Sequence, residues 1–292
     1  MRIGHLDRSQ LAEAARVLAE ACAFDRAADV AEEKLFGEAP AGPAEAFGAW
    51  DASGRLVGVA ARSARWLRVL AVAPSARGHG AGTALLAACE RLGAGTLRTL
   101  DQPGNYLAPG IDARNTDAIA WLERRGWASV GEPRTNVLVE VHANPRVTAT
   151  RAAELAEAAR ARGYEIRRAR ADERALLEAV DSEFGGAWPF ELARALAHAP
   201  AGVHVACAGG AYCAFAAHDG NNRGLGWFGP TGTWPAHRGK RLGEALLLAC
   251  LVDVAVTHRR CEIAWIGPRP FYEKVAGIVD ERRFVVLAKS VS

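Results

Sequence analysis

An α+β fold made of two similar domains in tandem is predicted by three features of the sequence. The chain has 292 residues, half of them apolar, which is long for one hydrophobic core. A hairpin of strands, a glycine-rich loop, a helix, a strand, a short helix and a last strand follow one another in each half. The loop recurs at a constant offset of 161 residues. We therefore expect two domains, each with a mixed, mostly antiparallel sheet flanked by helices.

The repeat is clearest in the loop and the start of the helix after it. Val72–Leu86 and Thr233–Leu247 align without a gap at a proline, an Arg-Gly pair, a closing glycine and an Ala-Leu-Leu run. The unit is far longer than the period of a solenoid repeat. Two copies of one domain are therefore the simplest explanation.

The flanking elements repeat in the same order. The predicted strands before the loops are Phe47–Trp50, Leu56–Ala60, Val203–Ala206 and Tyr212–Ala216, joined by glycine-bearing turns. After the loops we expect strands Leu97–Leu100, Val137–Val141, Cys261–Ile266 and Phe284–Leu287, with short helices around Trp121 and Phe271. Asn144-Pro145 should end the last strand of the first half, and a helix around Ala152–Arg160 should end at Gly163. The expected divisions are 1–143, a linker helix at 144–163, and 164–292.

Composition disfavours nucleic-acid-binding, membrane, secreted and metal-binding proteins. The net charge of +3 is thinly spread, which disfavours a nucleic-acid partner. No apolar run approaches the ~18 residues that cross a membrane, and the N-terminus lacks the apolar core of a signal peptide. Six cysteines form no CxxC pair and the histidines are scattered, so we expect buried thiols and no metal. A cytoplasmic monomer or homodimer is expected.

The loops have the composition of a phosphate site. A glycine-rich turn before a helix leaves backbone N–H groups pointing outward at the positive end of the helix. Gly78, Gly80 and Gly82 would let the backbone approach a pyrophosphate closely, and Arg77 adds a cation. The order Arg-x-x-Gly-x-Gly fits neither a Rossmann fingerprint nor a P-loop.

This pattern resembles a known family. Arg77-x-x-Gly80-x-Gly82 is similar to the pyrophosphate loop of GNAT acetyltransferases, and Asn115–Trp127 resembles their second cofactor motif. Phe271–Gly277 resembles the same motif with one extra residue. The resemblance covers nearly the whole chain and implies a tandem GNAT-family N-acetyltransferase, with acetyl-CoA as acyl donor and no metal.

The resemblance also implies which residues bind acetyl-CoA. In the first half they are Leu70, Ala71, Val72, Arg77, Gly78, His79, Gly80, Ala81, Gly82, Thr83 and Asn115. In the second half they are Thr231, Gly232, Thr233, Arg238, Gly239, Lys240, Arg241, Leu242, Gly243 and Glu244. Strand backbone would contact the pantetheine arm, and the loop would hold the pyrophosphate.

The two halves depart from the family pattern at different positions. Many members use a tyrosine to protonate the departing thiolate, and Tyr272 stands at that position, whereas the first half has Leu122. The first loop keeps Gly80, whereas the second has Arg241 there. The first domain is therefore expected to bind better and the second to react, with Tyr272 as the catalytic residue and Tyr106 a weaker candidate.

The general base and the acceptor remain open. Neither Trp66–Val72 nor Gly226–Thr233 holds a carboxylate. The candidates are Glu183, His218 and Asp219 in the second domain and Asp112 in the first; Trp188 is a candidate wall of the acceptor pocket. The favoured function is acetylation of a small-molecule amine. The alternatives are a non-catalytic acyl-CoA sensor and, less favoured, an aminoacyl-tRNA-dependent transferase.

Overall fold

The computed structural model describes residues 1–291. The strands are β1 (Arg2–His5), β2 (Glu45–Trp50), β3 (Leu56–Ser63), β4 (Trp66–Val72), β5 (Gly95–Thr99), β6 (Ile111–Asp112), β7 (Ala128–Ser129), β8 (Arg134–Glu140), β9 (Glu165–Arg168), β10 (Val203–Ala208), β11 (Ala211–His218), β12 (Trp227–Thr233), β13 (Arg260–Ile263), β14 (Asp280–Val285) and β15 (Leu287–Val291). The helices are α1 (Leu11–Ala21), α2 (Ala31–Phe36), α3 (Ala81–Glu90), α4 (Thr116–Glu123), α5 (Ala149–Arg160), α6 (Arg174–Glu183), α7 (Trp188–Leu196), α8 (Leu242–Ala255) and α9 (Arg269–Ala276).

The chain forms two compact units. The first contains Met1–Arg134 together with the C-terminal stretch from Arg283, and the second is Thr135–Arg282. The expected boundary at 143 is therefore displaced, and the C-terminal strand belongs to the first unit. The hairpins, the loops and the helices after them lie where the sequence predicts.

The first unit is built on a seven-stranded sheet in the order β1-β2-β3-β4-β5-β15-β7. Its pairs are antiparallel except for β4 with β5, which run parallel. Helix α3 packs its buried side chains, among them Leu85 and Leu86, on one face of this sheet. Residues 283–285 of β14 also lie in this unit, and Phe284 and Val285 pair with β6.

The second unit repeats this plan around α8. Strands β8, β13, β12, β11, β10 and β9 follow one another in its sheet, and β12 with β13 is the parallel pair. Helix α8 is buried on almost every side and supplies Leu246, Leu247 and Leu251 to the core. Both sheets are mixed and mostly antiparallel, as predicted.

Three sequence-based boundaries need correction. The strand expected to close the first domain, Val137–Val141, is β8, which pairs with β13 in the second unit. The expected strand Phe284–Leu287 is divided at Val286 between β14 and β15, and β15 pairs with β5 and β7. The expected linker helix is α5, whose Leu155 and Ala159 join the core of the second unit. Apolar alternation identifies a closing strand but not the sheet that receives it.

Candidate cofactor site

Strands β4 and β5 separate soon after they meet. Their parallel register comprises Trp66 with Arg98 and Leu67 with Thr99, followed by one bond from Leu100 N to Leu67 O at 2.9 Å. Beyond Leu67, β4 continues to Val72 and stays paired with β3 on its other side. One edge of Leu70–Val72 thus presents backbone polar groups to a cleft.

A cavity of about 540 Å³ occupies this cleft. Its walls come from the end of α1, from β4, from the loop before α3 and from α4. They include Leu70, Ala71, Val72, Arg77, Gly78, Gly80, Ala81, Gly82, Thr83 and Asn115, which are the residues predicted for the first half apart from His79. His79 is exposed, and its Nδ1 lies 2.8 Å from Arg77 O.

The loop backbone has the conformation that its glycines were expected to allow. Gly78 and Gly80 have φ of 80° and 86°, in the left-handed region that side chains disfavour. Gly80 immediately precedes α3, so the free N–H groups of the first helical turn point into the loop. The cavity therefore ends at a positively polarised helix terminus suited to phosphate.

Arg77 has a structural role in addition to its charge. Its guanidinium donates from Nε to Val72 O (3.1 Å) and from Nη2 to Ala21 O (3.2 Å). It therefore ties the end of β4 to the end of α1, two walls of the cavity.

Helix α4 forms another wall of the cavity. Trp121 lines the cavity and packs at Gly82, where an added Cβ would lie 3.3 Å from its ring. Arg125 covers the Trp121 ring at 3.8 Å and donates to Thr83 Oγ1 at 3.0 Å. The small Gly82 therefore makes room for the Trp121 indole. The next residue, Leu122, also lines the cavity and is 4% exposed.

A buried polar contact that the sequence analysis missed holds the loop after β5. Lys34 Nζ donates to Asn105 Oδ1 at 2.8 Å, and both side chains are fully buried. Asn105 Nδ2 donates to the carbonyl oxygens of Glu33 (3.0 Å) and Glu38 (2.8 Å). This anchors the loop whose Leu107 lines the cavity. The sequence signal for this contact was Lys34, a lysine among the apolar positions of the short helix α2.

Asp112 is the buried carboxylate on the cavity wall. It is 2% exposed, and Arg114 holds it through Nε to Oδ1 (2.8 Å) and Nη2 to Oδ2 (2.7 Å). The same guanidinium lies 4.8 Å from the Phe24 ring, which also lines the cavity. Asp25 and Asp117 contribute to the lining as well. The first-domain candidate base thus lies at the site, whereas Tyr106 is buried outside the lining.

The second loop copies the backbone of the first. Gly239 has φ of 75°, and Arg241 has φ of 58° at the position of Gly80. Arg238 Nε donates to Thr233 O at 3.2 Å, as Arg77 does to Val72 O. His237 and Lys240 lie by Tyr164, the first through a 3.1 Å contact with its hydroxyl and the second over its ring. The left-handed position is thus filled by an arginine in this loop.

The side chains around the second loop differ from those around the first. Glu244 is 5% exposed and accepts from Arg241 Nε (2.8 Å) and Nη2 (2.9 Å). On the strand before the loop, Gly232 lies against the rings of Phe184 and Phe215, which an added Cβ would approach to 2.9 and 2.8 Å. Trp188 and Trp234 complete this aromatic cluster. Trp188 is thus half-buried in packing with Phe184 and Phe215.

Tyr272 lies in α9 and is 7% exposed within the core of the second unit. Burial raises the pKa of its hydroxyl. Its ring stacks edge to face on Phe271, which packs near Gly243 as Trp121 packs near Gly82. Tyr272 therefore corresponds to Leu122.

His218 and Asp219 belong to a separate ionic cluster. Asp253, near the C-terminal end of α8, lies 2.7 Å from His204 Nε2 and 3.3 Å from His218 Nε2, and accepts from Arg168 at 2.7 Å. Burial disfavours a charged His218, but its contacts with Asp219 and Asp253 outweigh burial and raise its pKa to about 9.

The position of this cluster separates it from the second loop. Asp253 and the loop lie at opposite ends of α8, about 16 Å apart at 1.5 Å per residue. Glu183, at the end of α6, is exposed. The structure therefore places His218 and Asp219 away from the second loop.

With this geometry established, comparison with known proteins identifies the fold. Residues 13–127 match the model of the acetyltransferase (GNAT) family. This part of the chain, in the first unit, is a GNAT-family domain. The match spans α1, β4, the first loop and α4, and therefore every wall of the cavity. No protein with a curated description matches the sequence.

Solved structures extend the resemblance to both GNAT units. A tandem GNAT protein from the clavulanic acid biosynthesis pathway shares 19% identity and a TM-score of 0.69, covering 100% of this chain and 98% of that one. A GCN5-related N-acetyltransferase from Sphaerobacter thermophilus shares 18% identity and a TM-score of 0.61, covering 99% of this chain and 95% of that one. These likenesses establish the tandem GNAT fold.

A third similar structure is a glucosamine N-acetyltransferase region in a fungal multi-domain GH3 β-N-acetylglucosaminidase. It shares 15% identity and a TM-score of 0.75, and the match covers 99% of this chain. This chain spans 38% of the length of that protein.

Within residues 1–291, no helix is long and apolar enough to cross a membrane, and no cluster of three potential ligands could hold a metal ion. All six cysteines are free, five of them buried, with Cys22 half-buried on the cavity wall.

Proposed function

We propose that this GNAT protein is an acetyl-CoA-dependent N-acetyltransferase acting on an amine of a small molecule, with acetyl-CoA bound in the first unit. The observation that carries the proposal is the cavity of about 540 Å³. It joins a free strand edge to a left-handed glycine loop at a helix N-terminus. A long, flexible molecule matches both features if its amides can pair with the strand edge and its pyrophosphate can bind at the loop.

The parts of the cavity correspond to the parts of such a molecule. The amides of Gly78–Gly82 suit the pyrophosphate, since helix N-termini bind anions with backbone N–H groups. The edge of Leu70–Val72 suits the amides of the pantetheine arm, which would pair with it as an added strand does. Trp121, Leu122 and Leu107 supply apolar surface around the arm.

Transfer requires a neutral amine to attack the thioester carbonyl. A C–N bond forms, the C–S bond breaks, the amine gives up a proton and the thiolate gains one. Asp112 is our candidate to accept the amine proton, directly or through water, because Arg114 holds its carboxylate at the wall. A carboxylate also attracts the ammonium form of the acceptor.

Leu122 does not prevent this reaction. A thiol has a pKa near 8.5, so its thiolate is a tolerable leaving group at neutral pH and can take a proton from water. A residue that donates a proton would accelerate the step without being required for it. The first unit can therefore support transfer without a tyrosine in the cavity.

A second candidate function is a non-catalytic acyl-CoA sensor. It is favoured by one observation, the apolar Leu122 on the cavity wall where many family members carry an acid. A sensor would bind acetyl-CoA as tightly as an enzyme but would not consume it.

Two measurements on the full-length protein separate these functions. Thermal melting with CoA, with and without EDTA, should show a Tm that rises with ligand concentration and ignores the chelator, because a ligand of the folded state stabilises it. Release of free thiol from acetyl-CoA should then depend on an added amine from a panel that includes amino sugars. A rise in Tm with no amine-dependent release would favour the sensor, and no change in Tm would refute both.

A further inference from the structure

The two loops differ most at the third residue of the helix that follows them. Thr83 holds this position in α3, is exposed and lines the cavity. Glu244 holds it in α8 and is buried. The loop backbones match in the left-handed residue before each helix and in the bond from the loop arginine to the strand. The comparison therefore isolates a change of side chain on a common backbone.

Glu244 lies in the first turn of α8, directly after the loop, and is held by two arginines. Two nitrogens of Arg241 donate to it, and Arg151 Nη2 approaches Oε1 at 3.4 Å. The ion pair with Arg241 outweighs burial and lowers the pKa of the carboxyl, so Glu244 is charged at neutral pH. A charged carboxylate in the first turn of a helix also offsets the positive charge of its N-terminus.

The strand before the second loop is covered as well. Ala71 of β4 lines the cavity of the first unit, and its counterpart Gly232 lies under Phe184 and Phe215. The Phe184 ring lies 5.0 Å from Trp234, which replaces the small Ala73. In the first unit the corresponding end of α1 supplies the small Cys22 and Ala23. Aromatic rings thus pack on the face of β12 at Gly232, whereas the counterpart Ala71 lines a cavity in the first unit.

We propose that Glu244 closes the second loop to the pyrophosphate of acetyl-CoA, so that the chain binds one acetyl-CoA. The carboxylate holds Arg241 and Arg151 in an internal ion pair and repels an incoming diphosphate. The aromatic cluster fills the face of β12 at Gly232, next to the edge that the pantetheine arm would use. The location of the one bound molecule rests on the proposed function, whereas the closure of the second loop stands on its own contacts.

Reciprocal substitutions between the loops test the closure. Calorimetric titration of the wild-type chain with CoA should give one site. Thr83→Glu copies the second loop into the first and should weaken CoA at least about tenfold. On that background, Glu244→Thr should restore binding of 3′-phospho-ADP, which carries the diphosphate but no pantetheine arm and so tests the loop separately from Phe184.

Three results would overturn the closure: two CoA sites in the wild type, unchanged affinity in Thr83→Glu, or no binding of 3′-phospho-ADP by a folded Thr83→Glu/Glu244→Thr chain. Glu244→Gln keeps the shape and removes the charge, and it replaces Glu244→Thr if melting shows that variant to be unfolded. No CoA binding by the wild type would refute the proposed function. A gain of 3′-phospho-ADP binding in Glu244→Thr would still support the closure.

Discussion

Leu122 of α4 and Tyr272 of α9 occupy corresponding positions in the two GNAT units, and each is buried, at 4% and 7% exposure. Trp121 packs beside Gly82 as Phe271 packs beside Gly243, which sets the correspondence. Leu122 lines the cavity of the first unit. Tyr272 in the second unit therefore corresponds to a residue that lines the cavity in the first unit.

Tyr272→Phe shows which unit reacts. If Glu244 closes the second loop, the hydroxyl has no thiolate to protonate, and we expect kcat close to that of the wild type. The alternative, that Tyr272 is the catalytic acid, predicts a loss of kcat of roughly 10²–10⁴-fold with little change in KM for acetyl-CoA. Steady-state kinetics with a fixed acceptor decides between them. The larger loss would place the chemistry in the second unit.

Asp112→Asn tests the proton acceptor of the first unit. The amide keeps the size of the carboxylate but cannot take the amine proton, so we expect kcat to fall by roughly 10²-fold or more. Arg114→Lys keeps the charge and loses the paired contact, and should give an intermediate loss. Glu183→Gln is the control, because Glu183 is exposed in the second unit. Wild-type turnover in Asp112→Asn would exclude this role.

Gly80→Arg tests the left-handed position of the first loop. Gly80 has φ of 86°, and a side chain in that conformation costs about 1–2 kcal/mol. The new Cβ meets open space, with Met1 Cε at 4.0 Å, so the protein should still fold. We expect CoA affinity to fall by up to about tenfold in calorimetric titration. Arg241→Gly should affect CoA binding less, and the reverse order would exchange the roles of the loops.

The His218 cluster predicts a pH dependence of stability. The folded pKa of His218 is about 9 against 6.5 for an unperturbed histidine, so its contribution is complete below pH 6.5 and is lost as pH rises through 9. The Asp253 pKa is instead lowered from 3.8, so its contribution is present above that value and is lost in acid. His204, Arg168 and Asp219 face the same groups.

Denaturant unfolding across this range measures the effect. The free energy of unfolding should fall by the order of 2 kcal/mol between pH 6.5 and 9. His218→Gln should be less stable than the wild type at pH 6.5 and should lose less over the same interval. Parallel curves for the two proteins would show that His218 does not titrate with folding.

Much of the fold could be predicted because its signals are local. The glycine loops, the helices after them and the hairpins before them each follow from spacing within a short stretch. The partner of a closing strand is not local. Val137 and Val139 alternate as any half-buried strand does, and nothing nearby indicates that β8 pairs with β13. The sequence of α5 favours a linker because Leu155 is isolated among alanines and charges, although it packs in the core of the second unit.

The candidate site was predictable to a similar degree. The motif located the cavity walls along β4, the loop and Asn115. The motif did not indicate that Glu244 pairs with Arg241, although the two residues are three apart at the start of a predicted helix. It also could not place Phe184 over Gly232, since that contact joins distant parts of the chain.

Hydrogen–deuterium exchange with and without saturating CoA measures whether acetyl-CoA binds in the first unit. Backbone amides that bind phosphate or pair with the pantetheine arm exchange more slowly. We predict protection of Leu70–Val72 and Gly78–Thr83, with no change at Gly239–Glu244. Protection confined to Gly239–Glu244, or none in either loop, would exclude acetyl-CoA from the first unit.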